Sequence, residues 1–287
     1  MELVIASCEQ GLIFLPLALG IHLSFRILNV TDLTVEGSFV LAAGMYARLI
    51  LAGIAPEFAF LAALLSAAVC GMCVGLIAQL AELPPLIAGI LMLFMLYSIN
   101  FQIFGLPNIN LLTQHTLLSD GSGQVLWGSV AAIALGVVAV LAWCLSRRIG
   151  LLCRAYGSNP KLLGRLGYYP KHIHVGGLAM SNMLAGLSGI LAAEVNRYAD
   201  LNMGIGMALT GIGTVIMGSY LLQRLAPRQY VVSTTLPLMG VGMGVLIYFL
   251  CLNGCLAMGI NPVHLKLVLG LMLIVCLKTV SFQRGHS

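Results

Sequence analysis

Charged side chains are scarce in this sequence: only 8% of its 287 residues are Asp, Glu, Lys or Arg, where a soluble domain carries roughly a quarter. A water-soluble fold of this length could not cover its surface with polar groups from that supply. Aromatic residues are also few, at 7%, while 60% of the chain is hydrophobic and the mean hydropathy is +1.03. The solvent selected is the hydrocarbon of a bilayer. Catalytic groupings are missing as well: there is no Gly-x-Ser-x-Gly elbow, no His-Glu-x-x-His and no Gly-x-x-x-x-Gly-Lys-Ser/Thr phosphate loop. Nothing here calls for an enzyme, a cofactor or a nucleic-acid partner, and any ATP that is used must be bound by another subunit. The eight cysteines suggest neither a disulfide framework nor a metal site, since Cys70-x-x-Cys73 lies mid-span with no His or carboxylate beside it.

What the chain has is long apolar runs. A membrane-spanning helix needs about 20 such residues, and spanning backbone must be helical or closed into a barrel. Barrel strands would alternate in polarity, whereas stretches such as 58–77 and 125–145 are apolar on every side. The expectation is an all-α, polytopic transmembrane bundle in one domain, 1–287. About nine spans are expected, near 10–28, 38–54, 58–80, 85–105, 124–146, 173–193, 204–222, 230–252 and 262–280. Glycine is abundant, and the pairs Gly71/Gly75 and Gly240/Gly244 suit close helix packing. Within spans, His22 reads as packed and hydrogen-bonded, and Asn100, Thr210, Thr214 and Thr235 as bridges between helices.

Charge placement predicts the orientation. The loop 147–172 holds six basic residues and no acidic one, the mark of a cytoplasmic loop. Counting spans outward from it sets the N-terminus outside and the C-terminus inside. Eleven basic residues then fall inside (Arg26, Arg147, Arg148, Arg154, Lys161, Arg165, Lys171, Arg224, Arg228, Lys278 and Arg284) and three outside (Arg48, Arg197 and Lys266).

Three polar motifs interrupt the apolar pattern. In the first, residues 29–39, Asp32, Thr34, Glu36 and Ser38 sit between apolar stretches, where an ionised side chain costs several kcal/mol. It reads either as an interfacial turn or as a broken helix facing a translocation pathway. In the second, residues 154–167, Asn159-Pro160 suits a helix start and Gly167 a helix end. This gives a basic helix flat on the cytoplasmic face, either a docking element or a loop on anionic lipid heads. The third, residues 194–207, carries Glu194, Arg197, Asp200 and Asn202 on the outer side. It reads either as a contact for substrate or an extracytoplasmic partner, or as a solvated loop with Glu194 and Arg197 paired. Asp32-Leu33-Thr34 and Asp200-Leu201-Asn202 also open two apolar segments alike, and duplicated polar breaks are a pointer to a translocation site.

At these motifs the chain resembles the inner-membrane permeases of the branched-chain amino acid and ribose ATP-binding cassette importers. Asp32-Leu33-Thr34-Val35-Glu36-Gly37-Ser38 is similar to their Asp-Leu-Ser-Val-Gly-Ser motif with Glu36 inserted, and Arg154, Ala155, Gly157, Asn159, Pro160 and Gly167 match their cytoplasmic loop. The tryptophan/tyrosine permease branch is the most similar, sharing the patterns at 32–39 and 199–206. The chain departs from the family at Met217-Gly218-Ser219-Tyr220, where an Ile-Gly-Glu ending is expected.

The resemblance implies a multi-pass protein of the bacterial cytoplasmic membrane, paired with a second copy. Cytoplasmic ATP-binding subunits would seat on Arg154, Ala155, Gly157, Asn159, Pro160, Arg165 and Gly167. An extracytoplasmic binding protein would meet Glu194, Arg197 and Asp200, and the cargo, a small organic solute such as an amino acid, would pass Asp32, Thr34, Glu36, Ser38 and Asn202. The alternative is an ion-coupled secondary transporter with Asp32 or Glu36 as the coupling carboxylate.

Overall fold

The computed structural model of the chain describes residues 2–118, 123–225 and 236–260, together with Gly270. The expected span 262–280 (apart from Gly270) and Thr235 lie outside the described residues. Helix α1 (Glu2–Ile21) continues into a π-helical turn, His22–Ile27, and is followed by α2 (Thr34–Leu51), α3 (Pro56–Leu80) and α4 (Pro85–Phe104). A short strand β1 (Asn108–Asn110) precedes α5 (Gly123–Ser146), α6 (Arg148–Ser158), α7 (Pro160–Arg165) and α8 (Pro170–Asn196). Strand β2 (Tyr198–Asp200), α9 (Met207–Leu225) and α10 (Leu236–Ala257) complete the described chain. Proline opens α3, α4, α7 and α8, because the missing N–H belongs to a position that has no intrahelical acceptor.

The protein is an all-α, polytopic membrane protein. Seven helices among the described residues are long and apolar enough to cross a bilayer. Helix α9 forms where a span is expected but is not one of the seven, because its Gly, Thr and Ser residues and the Gln223-Arg224 end dilute its hydropathy. Large apolar side chains stand exposed along α3, α4 and α5, including Phe58, Leu65, Phe94 and Leu135. In water such faces would aggregate; in a bilayer they meet acyl chains or another subunit.

Helix α8 is the hub, packed by α1, α2 and α3, while α9 and α10 pair beside α1. Hydrophobicity does not drive helices together in lipid, so association relies on close approach and polar contacts. Glycine supplies the approach. A Cβ on Gly71 would stand 2.3 Å from the Leu178 carbonyl oxygen, and one on Gly244 would stand 2.1 Å from that of Thr214. The family-divergent Met217–Tyr220 stretch belongs to the same seam, since a Cβ on Gly218 would lie 1.9 Å from the Gly240 oxygen. Both glycine pairs read from the sequence are therefore packing contacts. Gly71→Leu should force α3 from α8 and destabilise the bundle by about 1–3 kcal/mol, read as a lower midpoint in a thermal melt of the purified protein; an unchanged midpoint would contradict the close packing.

Hydrogen bonds sort the helix ends into two groups. Tyr46 of α2 and Thr116 both bond to Glu194 of α8, while Gln79 of α3 donates to the Lys171 carbonyl at 2.8 Å at the other end. Arg26 and the basic 147–172 segment share that second end, where a Cβ on Gly157 would meet the Ile27 oxygen. The intramembrane bridges are partly as expected. Asn100 Nδ2 donates to the Gly37 carbonyl at 3.1 Å, and Thr210 lies 3.3 Å from the Tyr248 hydroxyl. Thr214 instead returns to its own helix at Gly211, and His22 is buried with Nδ1 unpartnered.

Candidate functional site

The first motif, read over residues 29–39, breaks the chain over a shorter stretch. The unwound residues are 28–33, and Thr34, Glu36 and Ser38 already lie in α2. The break begins at Asn29, whose φ of 55° is left-handed backbone that Asn tolerates. It ends where the Asp32 side chain accepts from the Thr34 N–H at 2.9 Å, which satisfies one free donor of the new helix. The break is then locked to α8. Asn182 Nδ2 donates to Asp32 Oδ2 at 2.7 Å and to the Leu178 carbonyl at 3.0 Å. Its Oδ1 accepts from Ser38 at 2.7 Å and from Thr34 at 3.1 Å, and the Thr34 hydroxyl also bonds to Asp32. Asp32, Thr34, Ser38 and Asn182 are all buried. Asn182 escapes sequence reading because a lone amide in an apolar run carries no local pattern.

Glu36 points elsewhere. Its Oε1 accepts from the Ala208 N–H in the first turn of α9 at 3.1 Å, so a carboxylate meets the positive end of a helix. Tyr46, level with Glu194, lies ten residues further along α2, about 15 Å at 1.5 Å per residue. The segment 201–206 therefore descends from the level of Glu194 into the bundle, and α9 starts at depth. The descent begins at Asp200, whose Oδ1 accepts from Asn202 N at 2.7 Å, the same turn that Asp32 makes with Thr34. Gly204 lies against Glu36, with room for no Cβ, and Gly206 turns into α9 with φ +87°. Beside Glu36 is a recess of about 370 Å³ walled by α2, α4 and residues 201, 204 and 205. Asn202 itself is exposed and does not line it.

At the 194–200 end, Glu194 is buried and accepts from four donors. Thr116 Oγ1 donates at 2.7 Å, Leu117 N at 3.0 Å and Leu118 N at 3.4 Å, and the fourth donor is the Tyr46 hydroxyl. Arg197 donates to Thr116 at 2.9 Å. Strands β1 and β2 pair antiparallel, with Ile109 opposite Ala199, and tie the 106–118 segment to Asp200. The stretch between the expected spans 85–105 and 124–146 gives no strand signal, because three-residue strands carry too little periodicity to register.

At the opposite end, Asn159 Oδ1 accepts from Lys161 N at 3.1 Å and from Leu162 N at 3.3 Å, and Pro160 opens α7. Gly167 follows with φ +81°. Only Leu163 of α7 is buried, leaving Lys161, Leu162 and Arg165 outward. Helix α6 is seated by Arg154, which donates to the Leu145 carbonyl at 2.6 Å, and by Gly157 against Ile27 at the end of the π-helical turn. Ala155 is half-buried between them. Burial raises the pKa of Tyr156 and of the Cys153 thiol, the latter opposed by Arg154. Both groups stay neutral, as a seated face requires. Among the described residues, no cluster of His, Cys, Asp and Glu could hold a metal ion.

A multi-pass helical bundle with a broken helix, a second helix that starts at depth and a capped basic elbow defines a membrane transport protein. The chain belongs to the family of the branched-chain amino acid transport system permease component, whose model matches residues 4–277. An uncharacterized protein of Rickettsia prowazekii (strain Madrid E) is 39% identical over 280 residues, covering 98% of both chains. A tyrosine transport system permease protein of Clostridioides difficile (strain R20291) is 30% identical over 280 residues, 96% of this chain and 90% of that one. The second likeness supports the aromatic amino acid permease branch that the motifs at 32–39 and 199–206 resemble. No solved structure matches the chain.

Proposed function

We propose that the chain is the membrane-spanning permease of an ATP-binding cassette importer in a bacterial cytoplasmic membrane. In this reading it pairs with a second copy and passes an amino acid, with L-tyrosine the first candidate from the tyrosine permease likeness. The observation that carries the reading is the α6–α7 elbow. Its cap, its seat on the π-helical turn and the end of α5 and its outward Lys161, Leu162 and Arg165 suit a rigid docking surface for an ATP-binding subunit. The N-terminus lies outside and the C-terminus inside, with the basic 147–172 end cytoplasmic. Cargo passes the region of Asp32, Thr34, Glu36, Ser38 and Asn202. Glu36 borders the pathway, and Asp32, Thr34 and Ser38 hold the start of α2 in register. The opposite end receives a binding protein through Arg197 and Asp200, with Glu194 supporting that surface from beneath.

The test is reconstitution in proteoliposomes with the cognate ATP-binding subunit and binding protein. Uptake should require ATP, and uptake that persists without ATP but collapses with an ion gradient would make the protein a secondary transporter. In the same system Arg165→Glu should weaken co-purification of the ATP-binding subunit by roughly tenfold, the size of a lost docking charge pair (about 1.4 kcal/mol). Membrane insertion should be intact, and unchanged co-purification would remove the docking role from α7.

A further inference from the structure

The recess beside Glu36 offers hydrogen-bond acceptors and no cation among its described lining residues. Asn100 is fixed as an acceptor there. Its Nδ2 is committed to the Gly37 carbonyl at 3.1 Å, and turning the amide over would set oxygen against oxygen. Asn100 Oδ1 is thus left buried without a partner, an arrangement that native proteins rarely keep without a use. The second acceptor of the wall is the Glu36 carboxylate; Phe94, Leu201 and Ile205 supply an apolar surround, and Tyr97 adds an aromatic ring with a hydroxyl. A carboxylate and an amide oxygen on one apolar wall suit a ligand that donates hydrogen bonds, carries positive charge and has an apolar body. An anionic group would face Glu36.

We infer that the recess is a subsite for a primary ammonium group borne on an aromatic or aliphatic body, the chemistry at one end of an amino acid. Glu36 and Asn100 take the ammonium group, and Phe94, Tyr97, Leu201 and Ile205 take the side chain. A cavity of about 370 Å³ lies within the range of small-molecule sites. Because Glu36 also holds the first turn of α9, amine binding and the position of α9 share one carboxylate. Occupancy is thereby linked to the helix that alternating access would move. The choice of L-tyrosine as cargo rests on the permease reading above, whereas the amine preference does not.

The test uses the full chain in lipid nanodiscs with Ile205→Cys as reporter, at an exposed position on the wall. Methanethiosulfonate ethylammonium and methanethiosulfonate ethylsulfonate are the probes. Their rates are normalised to a free thiol and corrected for the parent chain's own cysteines. The ammonium reagent should react about tenfold faster, the size of effect that a charged cleft has on local ion concentration. E36Q keeps an acceptor for Ala208 and should bring the ratio near one; N100L should lower it and N100D raise it. L-tyrosine should slow labelling, and 3-(4-hydroxyphenyl)propanoate, which lacks the amine, should not. Equal rates for the two reagents, or a ratio unmoved by E36Q and N100D, would overturn the amine site. Failure of L-tyrosine alone to protect would overturn the aromatic cargo. Loss of ATP dependence in the uptake assay would sink the importer reading while leaving the labelling ratios as they are.

Discussion

Asn182→Leu should strongly destabilise the native bundle. The substitution keeps the volume of the side chain but removes every bond that joins the 28–33 break to α8. Asp32, Thr34 and Ser38 all bond to Asn182 and all are buried. Each group stripped of its partner costs about 1–3 kcal/mol, so the total is on the order of 4 kcal/mol, a large share of a typical folding free energy. The thermal midpoint of the detergent-purified protein should fall by roughly 10 °C. A loss of packing alone would predict little change, because Leu fills the site. Asn182→Asp should be worse than Leu, since it faces one carboxylate with another. Joined to Asp32→Asn it should recover much of the loss: the amide introduced at position 32 donates to the carboxylate introduced at position 182, whose oxygens still accept from Thr34 and Ser38. Only the bond to Leu178 is then missing. A double variant no better than Asn182→Asp alone would show that the knot is not what fixes the break.

The fold and the site were legible to different extents. Helical spans are a composition-level property, and the segments 58–80, 85–105 and 124–146 fall within a few residues of α3, α4 and α5. Local signals with a physical mechanism also read through. Asn159-Pro160 announces a capped helix and Gly167 its end, and the structure has both. The two Asp-Leu openings make the same side-chain turn, so the faint internal likeness has a structural counterpart. Partnership across the chain was not legible. Asp32 meets Asn182, Glu36 meets Ala208, and Glu194 meets Thr116, at separations of 150, 172 and 78 residues. Spacing along one chain cannot announce such pairs, because helix packing decides them. The depth at which α9 begins is hidden for the same reason: its hydropathy resembles a modest span, and only its contact with Glu36 reveals the descent.

Glu194→Ala should release the 112–118 segment from the bundle while leaving the spans intact. The side chain is one carboxylate with four donors converging on it, two of them backbone N–H groups of Leu117 and Leu118. Alanine strips Thr116, Leu118 N and the Tyr46 hydroxyl of this acceptor and leaves Leu117 N its 3.1 Å bond to the Tyr46 oxygen alone, so the segment is free to lift toward water. The free energy of local opening should fall by about 3 kcal/mol, so amide exchange at 117 and 118 should quicken on the order of 100-fold. Exchange within α3 and α8 should stay slow. Glu194→Gln should lie between, because its amide keeps one acceptor oxygen but cannot accept at nitrogen. Arg197→Ala should do less, since Arg197 reaches the segment only through Thr116. If this end receives a binding protein, Glu194→Ala should also weaken that association without touching any contact residue, through loss of a preorganised loop. Unchanged exchange at 117 and 118 would assign the hold on this segment to the β1–β2 pairing instead.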